Sequence, residues 1–510
     1  CQTIATQVGG LPGNNHQRSQ LQANSVRLVF IYTIYTTIPM NGLSRIFSHA
    51  IFAAMCNLFS GVAIAQPDCP AQNQINANFD DGSGWSMCWD SRKRENIVLS
   101  NVHYQAAGAE PYSVFNSIRL SQLHVSYDDS NVNYNDVTQF GLGGGYVSTL
   151  DEHDCPDGRL IDIAGRAGIC ELISKGDDSY TTASETQQSQ SLSVFSVSQV
   201  GSYSYLVTWK FFADGSVQPS IGAAGALQRS SKDPHSHFGR ELEGVEGKAW
   251  LSHTHNYYWK IDFDLGESAN DDVVSELQFT TDNQGRRARS ETRLSAESAR
   301  AINPAKMTSW LISDGDESKP QVPGYLIEPI NYGHKLVNSV TDPHTEFDFF
   351  VTRQNDCERF VSENAKYYPD CDENILQFVN DESLIDEDIV VWHRISFHHV
   401  PRNEDRQVMH SHWDGFVMEA RNLHHQTPGY DGQASPEIQA AMAAADNISD
   451  DTTATTAKPS SGCSISVNNG SVINGTVNNG PMSNGKMNLD FLLLLLAGYI
   501  GLLKRSWYAK

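Results

Sequence analysis

An all-β fold, a large antiparallel β-sandwich with few short helices, is what this sequence predicts. Three observations carry it. Segments in which apolar and polar residues alternate, such as "SIRLSQLHVSY", "YLVTWKFF", "YYWKIDFDL" and "IVVWHRISFHHV", recur between clusters of turn residues. Long runs of helical periodicity are few. The chain has 510 residues, 39% of them hydrophobic, enough to bury one large core or two ordinary ones.

Charge narrows the partners. Sixty acidic residues against 36 basic ones leave a formal net charge of -24. That balance argues against nucleic acid, whose phosphates need Lys and Arg. It is compatible with a cationic substrate, but simple solubility is the better account of it.

The elements follow in order. Residues 1–39, which begin at Cys1, are an N-terminal extension with no assigned role. From Met40, "MNGLSRIFSHAIFAAMCNLFSGVAIAQ" has an Arg, an apolar stretch and Ala63-Ile64-Ala65 before Gln66, the pattern of a secretory signal over 40–65. A buried core helix is the other reading of that stretch. Export makes the cysteines intelligible. Of nine, Cys1 and Cys56 precede the expected cut. Cys69/Cys88, Cys155/Cys170 and Cys357/Cys371 are close pairs, as expected of disulfides in an oxidising compartment, and Cys463 is left over.

Residues 66–435 are the expected sandwich domain. Within it, "VGSYSYLVTWKFFADGSV" (Val200 to Val217) reads as a β-hairpin turning at Asp214-Gly215. "SHTHNYYWKIDFDL" places His253 and His255 two apart in a strand, so both imidazoles project from one face. Such a pair can chelate copper or zinc, and surface histidines show the same spacing. "SFHHVPRNED" offers a third imidazole, His398 or His399. After "PEIQAAMAAADN" the composition loses its large apolar residues, and 436–490 reads as a disordered linker. Residues 491–510 close the chain. The apolar run Phe491 to Leu503 is short of the roughly 20 residues of a spanning helix, and Lys504-Arg505 follow it. This tail resembles bacterial C-terminal sorting tails of the glycine-glycine rhombosortase type, with Asn-Gly pairs where Gly-Gly is usual. A simple membrane anchor is the alternative. Both readings put the globular part outside the cytoplasm: periplasmic, on the cell surface or secreted.

Taken together, these segments resemble the catalytic domain of copper-containing, topaquinone-dependent primary amine oxidases. The family has an N-Y-[DE] tyrosine, then an H-x-H, then a third His in a segment of form H-[apolar]-x-x-x-E-[DE]. Tyr203, His253 with His255, and His399 of "HVPRNED" stand at those places in that order. "SIRLSQLHVSYDD" makes Tyr127 the counterpart of the family's V-P-Y-type tyrosine. "YNDVTQFGLG" puts Asp136 at the catalytic aspartate. The match runs over roughly residues 80–430, without the family's smaller N-terminal domains.

The resemblance implies a β-sandwich of the amine oxidase catalytic type, in which His253, His255 and His399 bind copper and Tyr203 is converted to topaquinone. It further implies that Asp136 is the base that takes a proton from the substrate's α-carbon and that Tyr127 orients the quinone ring. Primary amine and oxygen would be the substrates; aldehyde, ammonia and hydrogen peroxide would be the products. It also implies a Cys155–Cys170 disulfide, a homodimer, and a calcium site from Asp262, the Phe263 carbonyl, Asp264, Asp388 and the Ile389 carbonyl. Four positions depart from the pattern: Ser202 and Ser204 flank Tyr203 where the family has Asn and an acid, Gln139 replaces an acid near Asp136, and Gln407 replaces a proline. The serines keep a second function in play, a non-catalytic copper-binding or surface-interaction sandwich derived from an amine oxidase.

Overall fold

Alternation of period two is what the backbone makes of these segments. The computed structural model describes residues 67–181, 186–315, 321–329, 340–424 and 436–445. The N-terminal extension, the expected signal, the terminal tail, Cys463 and most of the expected linker lie outside them. The chain divides into two compact units, 1–435 and 436–510. The described part of the second is one helix, Pro436–Ala445.

The described residues of the first unit form a nine-stranded, a ten-stranded and a three-stranded sheet. Seven strands position the site: β1 (Tyr112–Tyr127), β2 (Thr186–Val200), β3 (Tyr203–Phe212), β4 (Val217–Gly225), β5 (His253–Phe263), β6 (Ile389–His399) and β7 (Met409–Arg421). In the nine-stranded sheet β5 lies between β1 and β6, antiparallel to both. In the ten-stranded sheet the order is β7-β4-β3-β2, again antiparallel. Described helices of this unit are single turns, among them α1 (Asp136–Gln139).

The core sits between the two large sheets. On β3, Tyr203, Tyr205, Val207, Trp209 and Phe211 are buried and the residues between them are half-exposed. Trp209 meets Trp259 of β5 edge-on, ring centroids 5.0 Å apart, which joins the sheets near their middle. Removing either indole would cost about 3–5 kcal/mol in lost burial and cavity. Every residue of β5 is buried. Its second face is covered too, where Tyr258 belongs to a smaller cluster with Phe350, Trp392 and Phe378.

Both ends of β3 are tight turns. Asp214-Gly215 closes the β3–β4 hairpin as the sequence predicts, with Gly215 at φ 85° and Phe212 N–H donating to the Ser216 carbonyl. The β2–β3 connection is a second hairpin, Gly201-Ser202, with Gly201 at φ 60°. All three close cysteine pairs form disulfides: Cys69–Cys88, Cys155–Cys170 and Cys357–Cys371.

Candidate active site

Residues paired across antiparallel strands project to the same face. His253 pairs with Tyr127 on β1 and with His399 on β6, while His255, one step along that face, pairs with Val125 and Phe397. The register alone therefore gathers three residues that lie far apart in sequence into one row. Ring centroids stand 4.9 Å apart for His253 and His255, 5.0 Å for His253 and His399, and 5.0 Å for Tyr127 and His253.

Tyr203 reaches this row from the opposite sheet. Its hydroxyl lies 3.0 Å from His253 Nε2, and it hydrogen-bonds Tyr127. Gly225, its partner on β4, permits the approach. A Cβ there would stand 2.2 Å from the Ser202 carbonyl oxygen and 2.9 Å from the Tyr203 Cα, and φ is +114°. Burial raises the Tyr203 phenol well above its ordinary value.

The imidazoles have the chemistry of a copper site. Burial pushes His253 down to about 3, with His399 adding to the effect, and holds His255 well below its usual value. His399 is lowered by burial, against the opposing pull of Asp405. All three are therefore neutral near pH 7, the form that donates a lone pair to a metal. Their second nitrogens are partly committed. His253 Nδ1 faces the Leu251 carbonyl at 3.4 Å, which leaves Nε2 as the free lone pair toward Tyr203. His399 Nε2 donates to Asp405 Oδ2 at 3.0 Å, which leaves Nδ1, the arrangement by which a carboxylate fixes a ligating ring. His255 Nδ1 is buried without a partner. Among the described residues no three His, Cys, Asp or Glu side chains yet converge as a ligand set. The fit to copper is one of donor type and placement.

Alternation puts His399, and not His398, on the face that carries His253 and His255. His398 pairs with Thr254, on the face away from the triad, and bonds Asp128 at 2.9 Å.

Asp136 opens α1 and is 6% exposed. Burial raises its carboxyl to about 7, while a 2.7 Å hydrogen bond from the Tyr205 hydroxyl holds it down. Asp136, Tyr127, Tyr203, Tyr205, Tyr134 and Phe140 line one cavity of about 110 Å³. None of the three imidazoles lines it; Tyr203 stands between cavity and triad. Beside α1, Gln139 is not left without an acid. Glu363 accepts from Gln139 Nε2 at 3.0 Å and from Thr138 Oγ1 at 2.7 Å.

The expected calcium residues lie at the other end of β5. Asp262 and Phe263 end the strand, and Ile389 opens β6. Asp262 Oδ2 accepts from Asn116 at 2.9 Å, but Asp262 Oδ1 and Asp388 Oδ1 are buried without partners. Burial, then the charges of Asp262 and Asp264, raises Asp388 to about 7. Two orphaned carboxylate oxygens suit a hard cation, although buried Lys260 already compensates part of the charge at Asp262.

Two roles escape the sequence reading, that of Tyr205 and that of Asp405, which closes the "HVPRNED" segment. Tyr205 holds the candidate base, and its signal is the period of two that puts it on the same face as Tyr203. Asp405 holds His399, and nothing in its local sequence marks it apart from Glu404. Ser202 Oγ is buried without a partner, and Ser204 donates to Gln199 at 3.0 Å, so neither serine hydroxyl bonds Tyr203.

Comparison with known proteins gives the family and the fold. The family model described as copper amine oxidase, enzyme domain, matches residues 170–439, more than half of the chain. A primary amine oxidase of Arthrobacter sp. (strain P1) is 26% identical over 407 residues, covering 72% of this chain and 62% of the relative. The primary amine oxidase of Pisum sativum is 24% identical over 419 residues, covering 71% and 60%. The chain thus spans about six-tenths of the length of these curated relatives. The copper-containing benzylamine oxidase of Hansenula polymorpha shares the fold, with a TM-score of 0.60 at 18% identity over 72% of this chain and 63% of that one.

Proposed function

This chain belongs to the copper amine oxidase family, and from that premise we propose that it oxidatively deaminates a primary amine to aldehyde, ammonia and hydrogen peroxide, with oxygen as acceptor. One observation carries the reading. A buried tyrosine lies between a cavity holding a carboxylate raised to about 7 and a triad of neutral imidazoles, with its hydroxyl 3.0 Å from one of them.

His253, His255 and His399 would hold copper, and topaquinone derived from Tyr203 would supply the electron sink that the twenty ordinary side chains lack. The remaining work falls to this chain's own residues. Asp136 is buried and lines the cavity, and a pKa near 7 suits a base that must both take and return a proton. Tyr205 aims that carboxylate. Tyr127 hydrogen-bonds the Tyr203 oxygen and, in the row beside His253, fixes the ring's orientation. Phe140 and Tyr134 give the cavity an apolar wall for the carbon skeleton of the amine. The -24 net charge favours the approach of a cationic amine.

The same reading assigns calcium to Asp262, Asp264, Asp388 and the carbonyls of Phe263 and Ile389, a homodimeric assembly, and an exported location, periplasmic, on the cell surface or secreted. Three disulfides support the oxidising compartment. The test is phenylhydrazine trapping on the full chain after aerobic copper reconstitution. A coloured adduct whose mass maps to the peptide containing Tyr203 is the expected result. Unmodified Tyr203 in copper-loaded protein would replace this reading with the non-catalytic copper-binding sandwich, with Ser202 and Ser204 as the changes that disabled processing.

A further inference from the structure

A fourth histidine faces the triad. Along β7 the side chains of His412, Asp414, Phe416 and Met418 share one face, and the last three of them are buried. His412 pairs with Ala223 on β4, and Ala223 pairs with Tyr205 on β3. Tyr205, Ala223 and His412 therefore form a cross-strand row that projects into the space between the sheets. The middle member is only a methyl group, so nothing bulky separates the tyrosine side of the row from the histidine side.

The ring stands where a ligand would be wanted. Its centroid is 5.1 Å from that of His399, and it stacks on Phe397, the residue paired with His255, at 4.3 Å. The edge of the side chain is half-exposed, yet Nε2 is buried and has no hydrogen-bond partner. A buried nitrogen without a partner costs stability unless something bonds it. Stacking on Phe397 packs one face of the ring.

We propose that His412 is a fourth imidazole ligand of the copper site formed by His253, His255 and His399. This rests on the copper reading above. Copper(II) favours a tetragonal set of nitrogen and oxygen donors, and here both sheets would supply imidazoles to it, three rings from the nine-stranded sheet and one from the ten-stranded sheet. Metal binding would then clasp the two layers of the sandwich at the end where Tyr203 sits.

The test is copper binding by the metal-stripped full chain, read without turnover. Pulsed electron paramagnetic resonance on 15N-histidine-labelled wild type counts coordinated imidazoles and needs no variant; four are expected. In H412A the count falls to three, and copper affinity measured by chelator competition falls at least tenfold, by analogy with the loss of residues that support ligands. H412Q, which keeps much of the volume, should show the same loss, while H410A, altering the exposed His410 on the same strand, should match wild type. Three imidazoles in wild type, with H412A and H412Q unchanged in spectrum and affinity while H399A loses copper, would overturn this inference and leave the family reading standing. Failure of wild type to bind copper would overturn both.

Discussion

Tyr205→Phe removes one oxygen and tests how the candidate base is tuned. The Tyr205 hydroxyl donates to Asp136 Oδ2 at 2.7 Å, in a site where burial has raised the carboxyl to about 7. A hydrogen bond to a charged group contributes about 1.5–3 kcal/mol. At 1.36 kcal/mol per pKa unit, losing it should raise Asp136 by about one to two further units. Only the ionised carboxylate can take a proton. The acid limb of kcat/KM should therefore move from near pH 7 to roughly pH 8–9, cutting the rate at pH 7 by about fivefold to fiftyfold and restoring it in alkali.

Stability must move with it, and the sign is fixed by linkage. The folded value lies above the unfolded value of 3.8, so the protonated form suits the fold. The cost of ionising Asp136 is absent below pH 3.8, accumulates as pH rises to 7, and reaches about 4 kcal/mol. Tyr205→Phe adds its loss only above that range, so its urea midpoint should fall relative to wild type more at pH 9 than at pH 5. Peroxide release from methylamine or benzylamine, profiled from pH 5.5 to 10, together with urea titrations at the two pH values, checks both. An acid limb that stays in place while the plateau drops would refute the assignment of Tyr205 as the group that sets the ionisation of Asp136.

Three other substitutions probe the frame around the site. Gly225→Ala places a methyl 2.2 Å from the Ser202 carbonyl oxygen at φ +114°, so it should destabilise the fold by about 3 kcal/mol or more in chemical denaturation and reduce the phenylhydrazine adduct at Tyr203. Asp405→Asn removes the carboxylate charge that holds His399 Nε2 at 3.0 Å, and copper affinity by chelator competition should fall ten- to hundredfold; the apoprotein should also lose some stability, since Asp405 accepts from the Arg402 backbone and guanidinium as well. Replacing Cys155 and Cys170 by serine opens a disulfide with a sequence separation of 15, which should cost about 3 kcal/mol in guanidinium titrations without reductant.

Much of this protein is legible in its sequence because much of it is local. Alternation over residues such as Tyr203 to Phe212 reports a strand with one buried face, since side chains on a strand must point to opposite sides. His253 and His255 were bound to share a face for the same reason, and Asp214-Gly215 was bound to turn. The family motifs added order and identity to residues whose chemistry could already be read. Spacing alone left His398 and His399 as equals, and only their register against β5 separates them.

What tertiary structure decided is everything that depends on pairing across the sheets. Asp136 looks like a turn residue until α1 is buried and Tyr205 is laid against it. Glu363 supplies a carboxylate beside Gln139 across a separation of 224 residues, which no local pattern could announce. His412 lies in an ordinary polar stretch until strand order places it opposite Ala223 and beside His399. The physical reason is common to all three. Sequence period selects a side chain's face, but strand register and the stacking of one sheet on another select its neighbours, and a catalytic or metal site is made of neighbours.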